Sequence, residues 1–295
     1  MSNTVTERER EEPVRSAQES RPRLSFEFFP PKTAEGKEKL YAVHAQLRAL
    51  DPDFFSVTYG AGGSTRTHTR DVVLELARQG SAVAPHLSFG GDDAEVVEQL
   101  LHTYRDHGIR RIVALRGDVP SGIGGMSQMV FAAELVAFIR ARTGDHFHLE
   151  VAAYPEMHPH ATDMRADVRY LRKKFDAGAN SAITQFFYNA DAYFWFLDDC
   201  RRAGIDAPIY PGIMPIINYQ NLARFARNCG AEIPRWLHNR LEALRDDPIA
   251  TRDFATEFVS ALSQRLLDGG APGLHLYTMN QAEPPLAICR NLGFC

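Results

Sequence analysis

A closed (β/α)8 barrel is the fold class this sequence predicts, and three observations point to it. From Leu24 onward, eight short runs rich in β-branched and aromatic residues alternate with amphipathic helical stretches. Such alternation implies a parallel sheet with helices packed on it. Eight units fit the length, since a barrel takes about 250 residues. Most of the runs also carry their polar residues at the C-terminal end, which is the edge where barrel enzymes gather their chemistry.

The first run is LSFEFF (24–29), followed by the turn PPKTAEG. That turn lacks the Gly-rich phosphate pattern of an open doubly wound sheet, the competing fold. The helical stretch AEGKEKLYAVHAQLRAL comes next. FFSVTY (54–59) leads into the loop AGGST, and AVAPHLS (82–88) into DAEVVEQLLHTYRDHGI, where Val96, Leu100 and Tyr104 recur at helical spacing. RIVALR (111–116), FHLEVAAY (147–154), SAITQFF (181–187), APIYPGI (207–213) and LHLYT (274–278) complete the set. Gly108, Gly178 and Gly204 stand where helices should stop. Residues 229–250 exceed a normal connection and predict an extra helix before the last barrel helix. Residues 1–23 are charged and polar and predict a disordered tail; residues 24–295 form a single catalytic domain.

Composition narrows the function. The apolar fraction of 44% is that of a globular protein, and a net charge of −4 without a basic concentration argues against nucleic acid. No apolar run is long enough for a membrane span, and the N-terminus has no secretory apolar segment. Four cysteines without close spacing read as free thiols in a reducing cytoplasm. The pairs HFH (146–148) and HPH (158–160) suggest metal ligands, but the first opens strand five at the wrong barrel edge and strand one offers no ligand pair. No metal is expected.

The candidate site is read from position. Glu27 ends strand one, Thr58 and Tyr59 strand two, His86 strand three, and Arg116, Gly117 and Asp118 strand four. Tyr154 and His158 follow strand five, Gln185 ends strand six and Tyr277 strand eight. Glu27 stands among Phe26, Phe28 and Phe29. It is either a solvent-pointing residue of an edge strand or a carboxylic acid kept neutral by apolar neighbours, and so a proton donor. His86 also fits a core histidine, Asp118 a partner of Arg116, Thr58 a plain β-branched strand residue, and Tyr59 and Tyr154 rim packing. Arg172, Lys173 and Lys174, after Asp167 on the helix behind strand five, form either a solvated face or a phosphate contact.

SFEFFPPK, VTYGAGGST, APHL, IVALRGDVP, VAAYPEMHP, AITQFF, PGIMPI and LYTMNQAEP, in that order, resemble the bacterial type of methylenetetrahydrofolate reductase from about Leu24 to Cys295. The resemblance implies a homo-oligomeric FAD barrel. It would reduce 5,10-methylenetetrahydrofolate with NADH or NADPH by a ping-pong cycle. Glu27 would be the general acid that opens the folate ring, and Asp118 the carboxylate that stabilises the resulting iminium. Thr58, Tyr59, His86, Arg116, Gly117, Asp118, Tyr154, His158, Asp167 and Lys174, with Arg172 and Lys173, match FAD-contacting positions. Gln185, Phe225 and Tyr277 match folate-contacting ones. Two departures stand out: Tyr170 where relatives carry Asn, and Gln281 where they carry an Arg facing the substrate's glutamate tail, a task that Arg224 or Arg66 could take over. A proline-dehydrogenase-like flavin barrel and a flavin-less folate-binding barrel remain the alternatives.

Overall fold

A computed structural model describes residues 21–59, 66–89, 93–116 and 131–294. Gly117, Asp118, the AGGST loop and residues 1–20 lie outside them. The strands are β1 (Arg23–Phe28), β2 (Phe54–Val57), β3 (Val83–Leu87), β4 (Arg111–Ala114), β5 (His148–Ala153), β6 (Ser181–Thr184), β7 (Ile209–Tyr210), β8 (Gly212–Ile213) and β9 (Gly273–Tyr277). All pairings are parallel, in the order β7-β6-β5-β4-β3-β2-β1-β9-β8. The first strand begins at Arg23, one residue ahead of the expected domain start.

Closure depends on Pro211. The run APIYPGI is one stave divided at this proline, which has no N–H to give to a ladder. The half before it, β7, pairs with β6; the half after it, β8, pairs with β9. Pro211 still accepts from His275 N at 3.0 Å. Gly212 passes so close to its neighbours that a Cβ would stand 2.2 Å from the Thr184 carbonyl and 2.7 Å from the Tyr277 hydroxyl. Only glycine allows the barrel to draw shut here.

The helices are α1 (Ala34–Arg48), α2 (Arg66–Arg78), α3 (Ala94–Asp106), α4 (Ala132–Thr143), α5 (Met164–Asp176), α6 (Ala190–Arg202), α7 (Tyr219–Cys229), α8 (Arg235–Ala243), α9 (Pro248–Asp268) and α10 (Glu283–Asn291). Side chains of Thr33, Asp163, Asn189, Asn218 and Asp247 cap free N–H groups at helix starts. Gly108, Gly178 and Gly204 end α3, α5 and α6 with φ of 75°, 111° and 74°. The expected extra helix is α8. It precedes α9, which packs between α6 and α10, so it comes ahead of the last strand as well as the last helix.

Strand residues alternate between two cores. Leu24, Phe26 and Phe28 belong to the large core between sheet and helices, where Phe26 and Phe28 stack on Phe55 at 5.8 and 5.5 Å. Burying one such ring stabilises by about 1.5–3 kcal/mol. Phe54, Ala84, Val113, Ile183 and Tyr210 make a separate small core, which fills the barrel interior. Toward the N-terminal edge, fully buried Glu150 is paired with Arg111, lies 3.3 Å from His148 Nε2 and accepts from Ser181 Oγ at 2.5 Å. HFH thus contributes to the base of the barrel rather than to its mouth.

Candidate active site

Glu27 shares its face of β1 with Ser25, and strand alternation places Phe26 and Phe28 on the other face. There they are 0% and 1% exposed, packed against Phe55 and near His44, while Phe29 is 44% exposed beyond the strand. The expectation that phenylalanines surround the acid and keep it neutral is therefore corrected. Glu27 instead faces imidazoles. Its Oε2 lies 3.3 Å from His86 Nε2 and 3.6 Å from His275 Nε2. Neither imidazole nitrogen is aligned as a hydrogen-bond donor, and both are buried. Burial pushes the Glu27 carboxyl up, but His86 and His275 together outweigh it and hold the group at about 2. The edge-strand alternative falls too, because β1 is paired on both sides.

His275 is itself held from behind, its Nδ1 2.8 Å from Ser25 Oγ. Tyr277, in register with Glu27, donates its hydroxyl to the Thr184 carbonyl at 2.8 Å. Burial, with the Glu27 charge added, pushes that hydroxyl well above its ordinary range. His275 and Ser25 were not among the sequence candidates. LHLYT reads as an apolar strand, and only their parity, two residues before Tyr277 and Glu27, could have marked them.

A second group gathers at the exits of β4 and β5. Arg116 Nη2 is 3.0 Å from His160 Nδ1, and the rings of His160, His158 and Tyr154 follow one another at 5.3 and 4.6 Å. His158 N donates to Asp167 Oδ2 at 2.9 Å. Lys174, two turns further along α5, is half-buried and donates inward to the Ala152 carbonyl at 2.7 Å. Burial lowers its ammonium to about 8, with Asp167 raising it and Arg116 lowering it. Asp167, the nearby acid, is raised by burial.

The basic run divides along its helix. Arg172 pairs with Asp176 at 2.7 Å and donates to the carbonyls of Ala203 and Gly204 at 2.9 Å, closing the end of α6. Lys173 lies over the exposed Tyr170 ring at 5.6 Å. Neither points where Lys174 does. Gln185 borders a small pocket with Tyr154 and Glu156, and its side-chain oxygen accepts from Phe186 N at 3.0 Å. Thr58 accepts through its carbonyl from Thr69 Oγ1 at 2.8 Å, and Tyr59 follows it, half-buried. Phe225 is on α7 with Arg224 5.9 Å from its ring. Gln281 is exposed at the rim of a groove of about 710 Å³ between α9 and α10, which Arg252, Asp253, Glu257 and Glu283 also line. Among the described residues no three His, Cys, Asp or Glu side chains gather as a metal site, and no helix is long and apolar enough to cross a membrane. Cys200 is a buried free thiol.

A half-buried ammonium that feels the charge of the Arg116 guanidinium fits an anionic group, and the buried His86 nitrogen, lacking an aligned partner, fits a polar ring edge. The residues present therefore suit a cofactor with phosphates and a planar heterocycle.

The family model for methylenetetrahydrofolate reductase matches residues 14–293. The chain is 40% identical to 5,10-methylenetetrahydrofolate reductase of Pectobacterium carotovorum over 271 residues, covering 92% of this chain and 90% of that one. The Escherichia coli K12 protein of the same name is also 40% identical, with the same coverage. Methylenetetrahydrofolate reductase (NADH) 1 of Arabidopsis thaliana is 38% identical, but the match spans only 48% of it. A Clostridium thermocellum protein solved with two copies of 5-methyl-5,6,7,8-tetrahydrofolic acid shares the fold at a TM-score of 0.64 and 17% identity, over 92% of this chain and 93% of that one.

Proposed function

The chain belongs to the methylenetetrahydrofolate reductase family, and from that premise we propose that it reduces 5,10-methylenetetrahydrofolate to 5-methyltetrahydrofolate with NADH or NADPH, with FAD as the bound carrier and the two substrates using one site in turn. The observation that carries this is the meeting of Glu27 with His86 and His275 at the mouth, on the same barrel edge as the cation-rich exits of β4 and β5.

The substrate must open its five-membered ring before it can accept a hydride. A proton goes to the departing nitrogen, the carbon–nitrogen bond breaks, and a methylene iminium remains on the other nitrogen. Hydride addition to that carbon yields the methyl group. Glu27 supplies the proton. A carboxyl held near 2 carries no proton at neutral pH, so a neighbour must load it first. His86 Nε2, at 3.3 Å, and His275 Nε2, at 3.6 Å, are the neighbours that would do so as the filled site tightens. Filling the mouth removes water from this cluster and favours the neutral, proton-shared state over separated charges.

Bound FAD supplies the two-electron chemistry that joins nicotinamide oxidation to folate reduction. Lys174 and Arg116 would hold its phosphates, with Asp167 and His158 orienting them and Thr58, Tyr59, His86 and Tyr154 beside its rings. Asp118, outside the described residues, would stabilise the iminium by its charge. Gln185 and Phe225 would contact the folate. An anaerobic titration tests the whole: the purified protein should absorb as an oxidised flavin, bleach with NADH and recover with methylenetetrahydrofolate. A colourless protein that still turns over would remove FAD; bleaching without recovery would remove the folate.

A further inference from the structure

We propose that Asn280 is a positioning residue for the acid: its side-chain amide replaces the last rung between β9 and β1 and fixes the backbone that carries Glu27. The proposal rests on the role given to Glu27 above.

The β1·β9 register ends at Glu27 opposite Tyr277. Beyond it the chain turns away. Met279 and Asn280 both adopt left-handed backbone, with φ of 52° and 53°. Two successive non-glycine residues in this region are costly, and asparagine is among the few side chains that tolerate it. The turn is closed by Asn280 N donating to Thr278 Oγ1 and Gln281 N to the Thr278 carbonyl, both at 3.0 Å. With the backbone rung gone, Asn280 reaches back with its side chain. Its Oδ1 accepts from Phe29 N at 3.1 Å, and its Nδ2 donates to the Phe29 carbonyl at 2.8 Å.

The consequence is a grip on three carbonyls in a row. Thr278 Oγ1 holds that of Glu27 at 2.6 Å, Thr58 N that of Phe28 at 2.9 Å, and Asn280 that of Phe29. Glu27 needs this. Its contacts to His86 and His275, at 3.3 and 3.6 Å, attract the carboxylate by charge but form no aligned hydrogen bond, so they do not fix its direction. A primary amide is the group that both donates and accepts as a peptide does. An aspartate at 280 could only accept, and would turn a negative oxygen toward the Phe29 carbonyl.

The test compares N280G, N280D, E27Q and the double variant E27Q/N280G. Glycine takes φ of 53° without strain, so N280G should melt near the parent temperature while losing the bracket. We expect kcat for folate reduction to fall roughly 10-fold in N280G and N280D, since small misplacements of a reacting group cost rate steeply. The KM for NADH, and NADH oxidation by a quinone acceptor, should stay unchanged. The double variant should be no slower than E27Q, because Asn280 acts through Glu27. Parent turnover in N280G, equal loss of quinone and folate reduction, or a multiplied defect in the double variant would each overturn the proposal. If N280G melts below the assay temperature, N280D is judged by the same criteria. A normal E27Q would remove the acid and this proposal together; a slow E27Q beside a normal N280G would remove this proposal alone.

Discussion

Glu27→Gln keeps the length and shape of the side chain and takes away its charge and its proton. Loss of general acid catalysis should slow folate reduction by ~10²–10⁴. NADH oxidation by a quinone acceptor needs no proton on folate and should continue. Stability offers an independent measure. A fall in pKa from 4.5 to about 2 corresponds to roughly 3 kcal/mol of net stabilisation of the charged form, the cost of burial being outweighed by the pull of the two imidazoles. The side chain is only 17% exposed, so screening by solvent trims this little. Part of it returns in the variant, since an amide at 27 leaves no charge buried; a net loss of about 1–2 kcal/mol is expected. The sign follows from the depressed pKa. The contribution is fully present above pH 4.5 and is lost as pH falls toward 2. The gap between urea melts of parent and variant should therefore shrink as pH falls below 4.5. Parent-level folate turnover in the variant would refute the proton-donor role. A gap that stays the same as pH falls from 4.5 to about 3 would refute the ionised resting state.

Lys174→Met should weaken FAD retention on dilution. In the parent, an anion beside Lys174 should restore its pKa from about 8, so FAD binding should take up protons near pH 8; calorimetry in buffers of different ionisation heat checks this, and no uptake would place the anion elsewhere. Arg111→Met should cost roughly 2–4 kcal/mol by leaving buried Glu150 with only His148 and Ser181 beside it, read in urea melts, with KM values unchanged because the cluster lies at the base of the barrel; a melt like the parent's would show that Arg111 adds nothing to the Glu150 cluster. Gln281→Arg should lower the KM for folate severalfold at low salt with little change in kcat, since a charge-assisted contact exceeds a neutral one by about 1 kcal/mol; an unchanged KM would assign the tail to another cation, and Arg252 lines the same groove.

The barrel was legible because its signals are local. β-branched runs, glycine stops and side-chain caps each act within a few residues, and the runs recur eight times. The division of one stave at Pro211 was harder to see, since a proline in a short run marks either an edge or a break. Which it is depends on two neighbours, β6 and β9, that are more than 20 residues away in either direction. The extra segment at 229–250 was visible as surplus length. Its rank among the helices was not, because α9 is recognisable as a barrel helix only by packing against α6 and α10.

The site was legible in outline for the same reason and misread in detail for a different one. Glu27, Thr58, His86, Tyr154, Gln185 and Tyr277 stand out as candidates because polar residues at strand ends are conspicuous against apolar runs. Sequence neighbours, however, are not spatial neighbours in a strand. Phe26 and Phe28 adjoin Glu27 in the chain and face the helices; Ser25, two residues away, and His275, 248 residues away, share its chamber. Alternation with a period of two separates residues i and i+1 and unites i with i+2, and parallel register carries that parity to the next strand, where Ser25 pairs with His275 and Glu27 with Tyr277. A carboxyl that seemed enclosed by phenylalanine thus faces imidazoles. Helical periodicity likewise explains why Lys174 and its neighbours Arg172 and Lys173 part company: on a helix of 3.6 residues per turn, Lys174 lies above Asp167 and Leu171, both turned to the sheet, while the two residues before it cover solvent and the end of α6.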